Sequence, residues 1–486
     1  MTAALLYYLG LTLHLTAFAV ITLRVIWRKA DAGTALSWIA LVGLVPLAGV
    51  LFYLLVGERR IGQGRARRLA DLRVDYDKLA DAIIEGWLTH VDWSRRRPEA
   101  EAMNRLGERL VGMPTVGGCS GELVSDSGEI LERIAADIDD ACSSVLMEFY
   151  IWAKGGRADD VVDALVRAAG RGVACRVLVD AVGAHPWWRG PQSRRLREAG
   201  VELRVANSTG LWQLLFARND LRLHRKIVVV DGEVAWTGSM NLVDPRFFKQ
   251  ESGVGQWVDA MYRAEGSVVA PLTATVLGDW LLETHDTVER ALEYADLDRV
   301  APKGDGDIQV VPSGPADNSD GLLQMLLAMI NAARDELVLT TPYFVPDESI
   351  VRALRGAAAR GVDVRLIVPE KIDSLLTRYA SRSYFDELHS AGVKVCLFHG
   401  GLLHTKSITA DGSISMFGTV NLDMRSLWLN YEVSLFVYGD KFGGELRALQ
   451  QTYLDHSHAI DPDEWARRPI RERLMENTLR LMGPLL

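Results

Sequence analysis

The sequence predicts an α/β protein built from two similar halves, set behind an apolar N-terminal stretch. Three observations lead there. Strand-like and helix-like segments alternate from about residue 116 onward. One order of segments occurs twice. Two apolar runs occupy the first 56 residues. The expected organisation is a transmembrane hairpin over residues 1–60, a basic, helical linker over 61–115, and α/β domains over 116–301 and 302–486.

The 486 residues are too many for one ordinary domain. The net charge of −9 makes nucleic acid a poor default partner. Cys119, Cys142, Cys175 and Cys396 form no C-x-x-C pair and imply no disulfide framework. Cys142 and Cys175 read as small core residues.

Residues 5–27 are apolar apart from His14 and Arg24, and residues 35–56 carry no charge at all. A helix of about twenty residues crosses a bilayer core. The runs therefore predict two spans joined by a tight turn through Arg28 and Lys29. Arg59, Arg60, Arg65, Arg67, Arg68 and Arg73 follow the second run. By the positive-inside rule this larger cluster is cytoplasmic, which places the rest of the chain there too.

In the first half, residues 145–151 read as a buried strand, 159–170 as a helix stopped at Gly172, and 173–179 as the next strand. The order returns at 337–341, 349–359 and 362–368. Residues 164–173 and 353–362 align almost residue for residue. Such a long period marks a duplicated domain rather than a solenoid. Residues 302–320, rich in Gly, Pro, Asp and Ser, read as the connection.

The repeat carries one constellation twice. His224, Lys226 and Asp231 form a His-x-Lys-x4-Asp motif, followed by Gly238, Ser239 and Asn241. His404, Lys406 and Asp411 repeat it, followed by Gly418, Thr419 and Asn421. In a strand, His and Lys two apart share a face. This pattern suits a phosphodiester. One imidazole can attack phosphorus, and a second can protonate the leaving alkoxide and then deprotonate the incoming alcohol. Two lysines neutralise the non-bridging oxygens with no metal or cofactor required. The Ser239 and Thr419 hydroxyls and the Asn241 and Asn421 amides can donate to the same oxygens. Glu251 lies 27 residues after His224, and Glu432 lies 28 after His404. Both are candidates to fix an imidazole tautomer.

The two motifs resemble the HKD motifs of the phospholipase D superfamily. Nearly the whole chain is similar to the bacterial cardiolipin synthases of that superfamily. The likeness includes the N-terminal runs with Pro46, Gly49, Tyr53, Gly57 and Glu58, residues 341–347, and residues 417–432. The resemblance implies two α/β sandwich domains in a pseudo-twofold pairing, with both motifs meeting in one site. It implies a membrane protein of the bacterial inner membrane that acts on phosphatidylglycerol. Two such lipids would give cardiolipin and glycerol through a phosphohistidine. It further implies that His224 is the nucleophile, His404 the acid and base, and Asp231 and Asp411 supporting residues.

Glu148, Tyr150 and Tyr343 end strands, where α/β folds line their sites. Arg222 lies two residues before His224. All four are candidate substrate contacts. Trp187, Trp188 and residues 211–216 are candidate membrane-seating aromatics. Residues 467–480 read as a basic helix. Two other activities fit the same histidines: a membrane-bound phospholipase D that gives the lipid to water, and a tethered nuclease, which the acidic chain disfavours.

Overall fold

The computed structural model describes residues 2–27, 32–57, 90–206, 221–284, 286–315 and 320–481. The chain divides into two compact units, residues 1–67 with 209–220, and residues 68–208 with 221–486.

In the first unit the helix Thr2–Trp27 is long, and its stretch Tyr7–Trp27 is apolar enough to cross a membrane. The second apolar run departs from the single span expected of it. It forms two short helices, Ala32–Leu44 and Ala48–Val56. Pro46 lacks an N–H and crowds the preceding turn, so the helix stops, and Leu47 adopts φ 60°. The second piece folds back on the first: the Tyr53 ring lies 5.4 Å from that of Trp38, edge to face. A Cβ on Gly49 would meet the Leu41 carbonyl, so only glycine permits this approach. Ile21, Val25, Val42 and Tyr53 form the buried centre of this unit. The basic cluster and the turn through Arg28 and Lys29 lie outside the described residues.

The second unit is organised by a sheet of fifteen strands among the described residues. In chain order the first-half strands are β1 (Thr115–Val124), β2 (Ser144–Phe149), β3 (Ala174–Asp180), β4 (Glu202–Ala206), β5 (Lys226–Val230), β6 (Val234–Gly238), β7 (Trp257–Val258) and β8 (Met261–Gly266). The others are β9 (Gly306–Ser313), β10 (Glu336–Thr340), β11 (Phe344–Val345), β12 (Asp363–Pro369), β13 (Lys394–Phe398), β14 (Leu402–Leu403), β15 (Ser407–Ala410), β16 (Ile414–Gly418), β17 (Leu422–Asp423), β18 (Glu432–Tyr438) and β19 (Ser457–Ala459). From an antiparallel β1–β9 seam the order runs outward as β8-β6-β5-β2-β3-β4 on one side and β18-β16-β15-β10-β12-β13 on the other, with β19 at the far edge. The repeat read in the sequence is thus a repeat of strand order.

Local chemistry explains the likeness. β2, β3 and β4 are parallel, as are β10, β12 and β13, so helices cross between them. The crossing helices Ala158–Gly170 and Glu348–Ala359 bury Val161, Leu165, Val351 and Leu354 against the sheet. They end at Gly172 and Gly361, with φ 92° and 93°. The turns after β5 and β15 place Asp231 and Asp411 at φ 52°, each followed by a left-handed glycine. These are tight hairpin turns.

Three expectations change. Residues 302–320 are not merely a connection, because they contain β9, a buried strand between β1 and β18. The helix Pro98–Val111 is not linker: Ala100 and Met103 belong to the core with Val311 and Leu326. Cys142 is exposed in a turn rather than buried, whereas the other three cysteines are buried.

Candidate active site

His224 stands just before β5, and Lys226 begins that strand. His404 and Lys406 stand just before β15. The histidines lie outside the main sheet, in segments that bond to the opposite half. Leu223 bridges Tyr431 in parallel, and the His224 N–H donates to the Tyr431 carbonyl at 2.9 Å. β14 pairs with β7, and the His404 N–H donates to the Val258 carbonyl at 2.8 Å. The middle residue of each motif strengthens the same graft. Arg225 Nε donates to the Glu432 carbonyl at 2.9 Å, and Thr405 Oγ1 donates to the Val258 carbonyl at 3.3 Å.

Each segment delivers its histidine to a carboxylate of the other half. His224 Nδ1 lies 2.8 Å from Glu432 Oε2, and His404 Nδ1 lies 2.7 Å from Asp259 Oδ1. A buried carboxylate can only accept, so each Nδ1 carries the proton and each Nε2 keeps its lone pair. The Ser239 hydroxyl donates to Asp259 and the Thr419 hydroxyl to Glu432, both at 2.6 Å. These hydroxyls were expected on substrate oxygens; here they hold the carboxylates that hold the histidines.

Burial sets the charge state. Both imidazoles are pushed down to about 4, chiefly by loss of water, against the pull of their carboxylates. Glu432 and Asp259 stay below the usual carboxylate range because a histidine and a lysine face each of them, which outweighs their burial. Burial also lowers Lys226 to about 8 and Lys406 to about 7. Each histidine feels both lysines, so the two motifs share one electrostatic site. Each ammonium donates to the carbonyl of its own motif's histidine. The site therefore brings two neutral imidazoles beside two lysines that an anion would charge fully. The Tyr150 ring lies 4.9 Å from that of His224, and the Trp257 ring 4.4 Å from that of His404.

The motif aspartates stand at the far ends of β5 and β15, away from this chemistry. Asp231 accepts the N–H groups of Cys142, Ser143 and Ser144 at 2.7, 2.8 and 2.9 Å, which fixes the start of β2. Asp411 does the same for β10 through Asp335 and Glu336, and also binds Arg97 at 2.6 Å. Asn241 accepts from the Ile151 N–H at 3.1 Å, and Asn421 bonds the buried Asp423. Glu251 is exposed in a short 3-10 turn and touches neither imidazole; Asp259 holds the position expected of it.

Glu148 is fully buried beside Asp279, whose carboxylate binds Arg225. Burial and the Asp279 charge push its carboxyl well above the usual range; it sits on β2 opposite Ile227 of β5, shut away from solvent. Tyr150 bonds Arg222, which keeps Arg222 beside the first histidine. The Tyr343 hydroxyl donates to Asp373 at 2.9 Å. Trp187 is core, stacked on Trp152 at 4.0 Å, and Trp188 is partly buried. Residues 211–216 lie outside the described residues. The sequence reading missed Asp259, Trp257, Arg225 and Asp279. No shared offset pointed to Asp259: it lies 20 positions after Ser239, against 13 from Thr419 to Glu432.

The fold and the paired motifs define a phospholipase D-like protein. The family model described as "Cardiolipin synthase, PLD-like domain" matches residues 134–254 and 326–452, one match on each half. "Cardiolipin synthase A" of Erwinia tasmaniensis is 42% identical over 470 residues, 96% of each chain. The protein of that name from Edwardsiella ictaluri is 40% identical over 469 residues, again 96% of each. The chain belongs to the cardiolipin synthase family. A phosphatidylserine synthase structure from Haemophilus influenzae shares the fold at a TM-score of 0.58, with 15% identity, over 79% of this chain and all of that one.

Proposed function

We propose that the chain is a cardiolipin synthase, a membrane-associated phosphatidyltransferase that joins two phosphatidylglycerols and releases glycerol. The observation that carries this reading is the pair of neutral, Nδ1-anchored imidazoles set among two lysines in one buried site.

His224 Nε2 attacks phosphorus of the first lipid, and the bond to the glycerol oxygen breaks. The phosphate anion raises the pKa of the groups around it, so His404 holds a proton once substrate is bound and passes it to the departing glycerol. His404, neutral again, then takes the proton of a hydroxyl on the second phosphatidylglycerol. That oxygen displaces His224 from phosphorus, giving cardiolipin. Lys226 and Lys406 neutralise the non-bridging oxygens throughout. Glu432 and Asp259 hold each ring with Nε2 toward phosphorus and stabilise each imidazolium as it forms.

The two halves act as two phospholipase D-like domains in a pseudo-twofold pairing, which the matching strand orders support. Tyr7–Trp27 anchors the chain in the membrane, and the folded-back second run lies beside it as a re-entrant pair. The arginines after residue 58 favour the cytoplasmic face for the catalytic unit.

Full-length protein mixed with labelled phosphatidylglycerol vesicles tests the reading. Cardiolipin with equimolar glycerol, absent in a His224→Ala variant, is the expected product. Phosphatidic acid alone would replace the transferase with a hydrolase.

A further inference from the structure

The helix Ile470–Arg480 leaves most of its large apolar side chains exposed. A surface helix normally buries its apolar stripe and gives its charges to water. Here the only buried residue is Glu476, 1% exposed and bonded to Arg382 and Arg468. Ile470 and Leu474, one turn apart, are 78% and 63% exposed, and Met475 and Leu481 are exposed with them. Glu476 and Leu479 are thus turned toward the protein, while Ile470, Leu474, Met475 and Leu481 face outward together with Arg471 and Arg473.

Four more large apolar side chains stand exposed on segments that follow strands of the sheet. Among the described residues of this unit, the other large exposed apolar side chains are Val182, Phe247, Leu375 and Leu376. Val182 follows β3, and its neighbour Gly183 lies against Tyr150, which faces His224. Phe247 sits on the loop between Asn241 and Asp259. Leu375 and Leu376 begin the helix Leu375–Arg382, which follows β12. Lys249 ties the Phe247 loop to this segment by a 3.1 Å bond to Asp373, the residue that also accepts from Tyr343. Arg382, at the end of the same helix, binds Glu476 at 2.8 Å. Polar contacts of neighbouring residues thus connect the Phe247 loop, the helix Leu375–Arg382 and the C-terminal helix. A monomeric surface normally scatters such residues.

Basic groups flank the same segments. Arg471 and Arg473 are exposed on the C-terminal helix, and Lys371 is exposed beside Leu375. An apolar face edged with arginine and lysine fits the surface of an anionic bilayer.

We infer that this collar, formed by Val182, Phe247, Leu375 and Leu376 with the outward face of Ile470–Arg480, is a second membrane-docking surface that enters the headgroup layer of an anionic bilayer. It would set the mouth of the site at the level where a lipid phosphate lies, so that acyl chains need not leave the membrane. The inference rests on the lipid-substrate reading above.

The test uses the full chain with Cys142→Ser, which removes the exposed thiol and leaves three buried ones. A polarity-sensitive fluorophore is attached at Leu375→Cys, at Leu474→Cys, or at Arg105→Cys on the exposed side of Pro98–Val111 as a control. The labelled proteins are reconstituted in phosphatidylglycerol vesicles containing lipid brominated along the acyl chain. The probes at 375 and 474 should shift to the blue and be quenched several-fold more than the probe at 105. Equal, water-like emission at all three positions would overturn the inference. So would probes at 375 and 474 that are shielded in lipid-free detergent and become more so with protein concentration, because a second copy would then cover the face. The readout needs no turnover, so it stands apart from failure of the catalytic reading. A Leu474→Glu/Leu481→Glu variant gives an independent measure. It should raise KM on vesicles while leaving kcat/KM on micellar phosphatidylglycerol unchanged. An equal loss on both substrates would mean a structural role and would contradict the docking surface.

Discussion

The carboxylate of Glu432 accepts the Nδ1 proton of His224 at 2.8 Å from 208 positions away in the chain. Asp259 does the same for His404 in the opposite direction, across 145 positions. Neither half holds a complete histidine–carboxylate pair of its own. The site exists only when the two halves exchange segments, through Leu223 with Tyr431 and β14 with β7.

The crossing makes a direct prediction for the carboxylates. Glu432→Gln keeps the shape but allows the wrong tautomer at His224, and Asp259→Asn does so at His404. Each should lower kcat by ~10²–10⁴-fold, as loss of a histidine-orienting acid does elsewhere. Glu251→Gln should leave kcat within about twofold, since an exposed side chain away from the chemistry rarely matters. The initial rate of cardiolipin formation checks all three.

The lysines give a pH dependence whose sign can be worked out. Their folded values, about 8 for Lys226 and about 7 for Lys406, lie below that of a free lysine because burial disfavours the charge. A bound oxyanion favours the charged form and raises both values. Tungstate, a dianion over this range, should therefore bind with net proton uptake between pH 7 and pH 8. Above that window its affinity should fall by about tenfold per pH unit for each lysine that must be charged. Calorimetry in buffers of different ionisation enthalpy measures the uptake. Affinity independent of pH up to 9 or beyond, roughly a unit above both lysines, would remove the lysines from the anion site.

The motif aspartates should behave as folding residues. Asp231→Ala strips three backbone donors of their acceptor and leaves alanine at a left-handed φ of 52°. A stability loss of about 2–4 kcal/mol is expected, with kcat at low temperature little changed. Asp231→Asn should recover part of the loss, because asparagine tolerates this conformation and still accepts one bond. Denaturant unfolding in detergent, run beside the activity assay, separates the two effects.

Arg225 joins Glu432, Asp279 and the Ser313 carbonyl from one buried guanidinium. Lysine cannot reproduce that fork. Arg225→Lys should destabilise the catalytic unit, and Arg225→Ala should cost about 3–5 kcal/mol by leaving Asp279 unpaired. Combining Arg225→Met with Asp279→Leu should return part of it. Thermal unfolding of the three variants checks the order.

These residues also mark what the sequence could tell. His224, Lys226, His404 and Lys406 were legible because chemistry fixes their spacing within one short segment. Asp259 was not, because the loop that carries Phe247 and Lys249 is seven residues longer than its counterpart, which moved the first-half carboxylate away from the offset seen in the second. The crossing itself has no local signal, since Leu223 meets Tyr431 and β14 meets β7 only when the two halves are folded together. The alternation of strands and helices was plain from apolar runs and glycine stops. The break at Pro46 was visible as a residue, but the fold-back of Tyr53 onto Trp38 depends on Gly49 allowing two helices to touch.

In the proposed mechanism, one site made from both halves passes the phosphatidyl group through His224. Rapid quenching of full-length protein during turnover of phosphatidylglycerol labelled in its acyl chains, followed by peptide mass spectrometry under alkaline conditions, tests it most directly. A phosphatidyl adduct is expected on the peptide containing His224 and none on the peptide containing His404. Glu432→Gln should lower the rate at which the adduct appears. An adduct on His404, or full turnover with no adduct on either histidine, would contradict the mechanism.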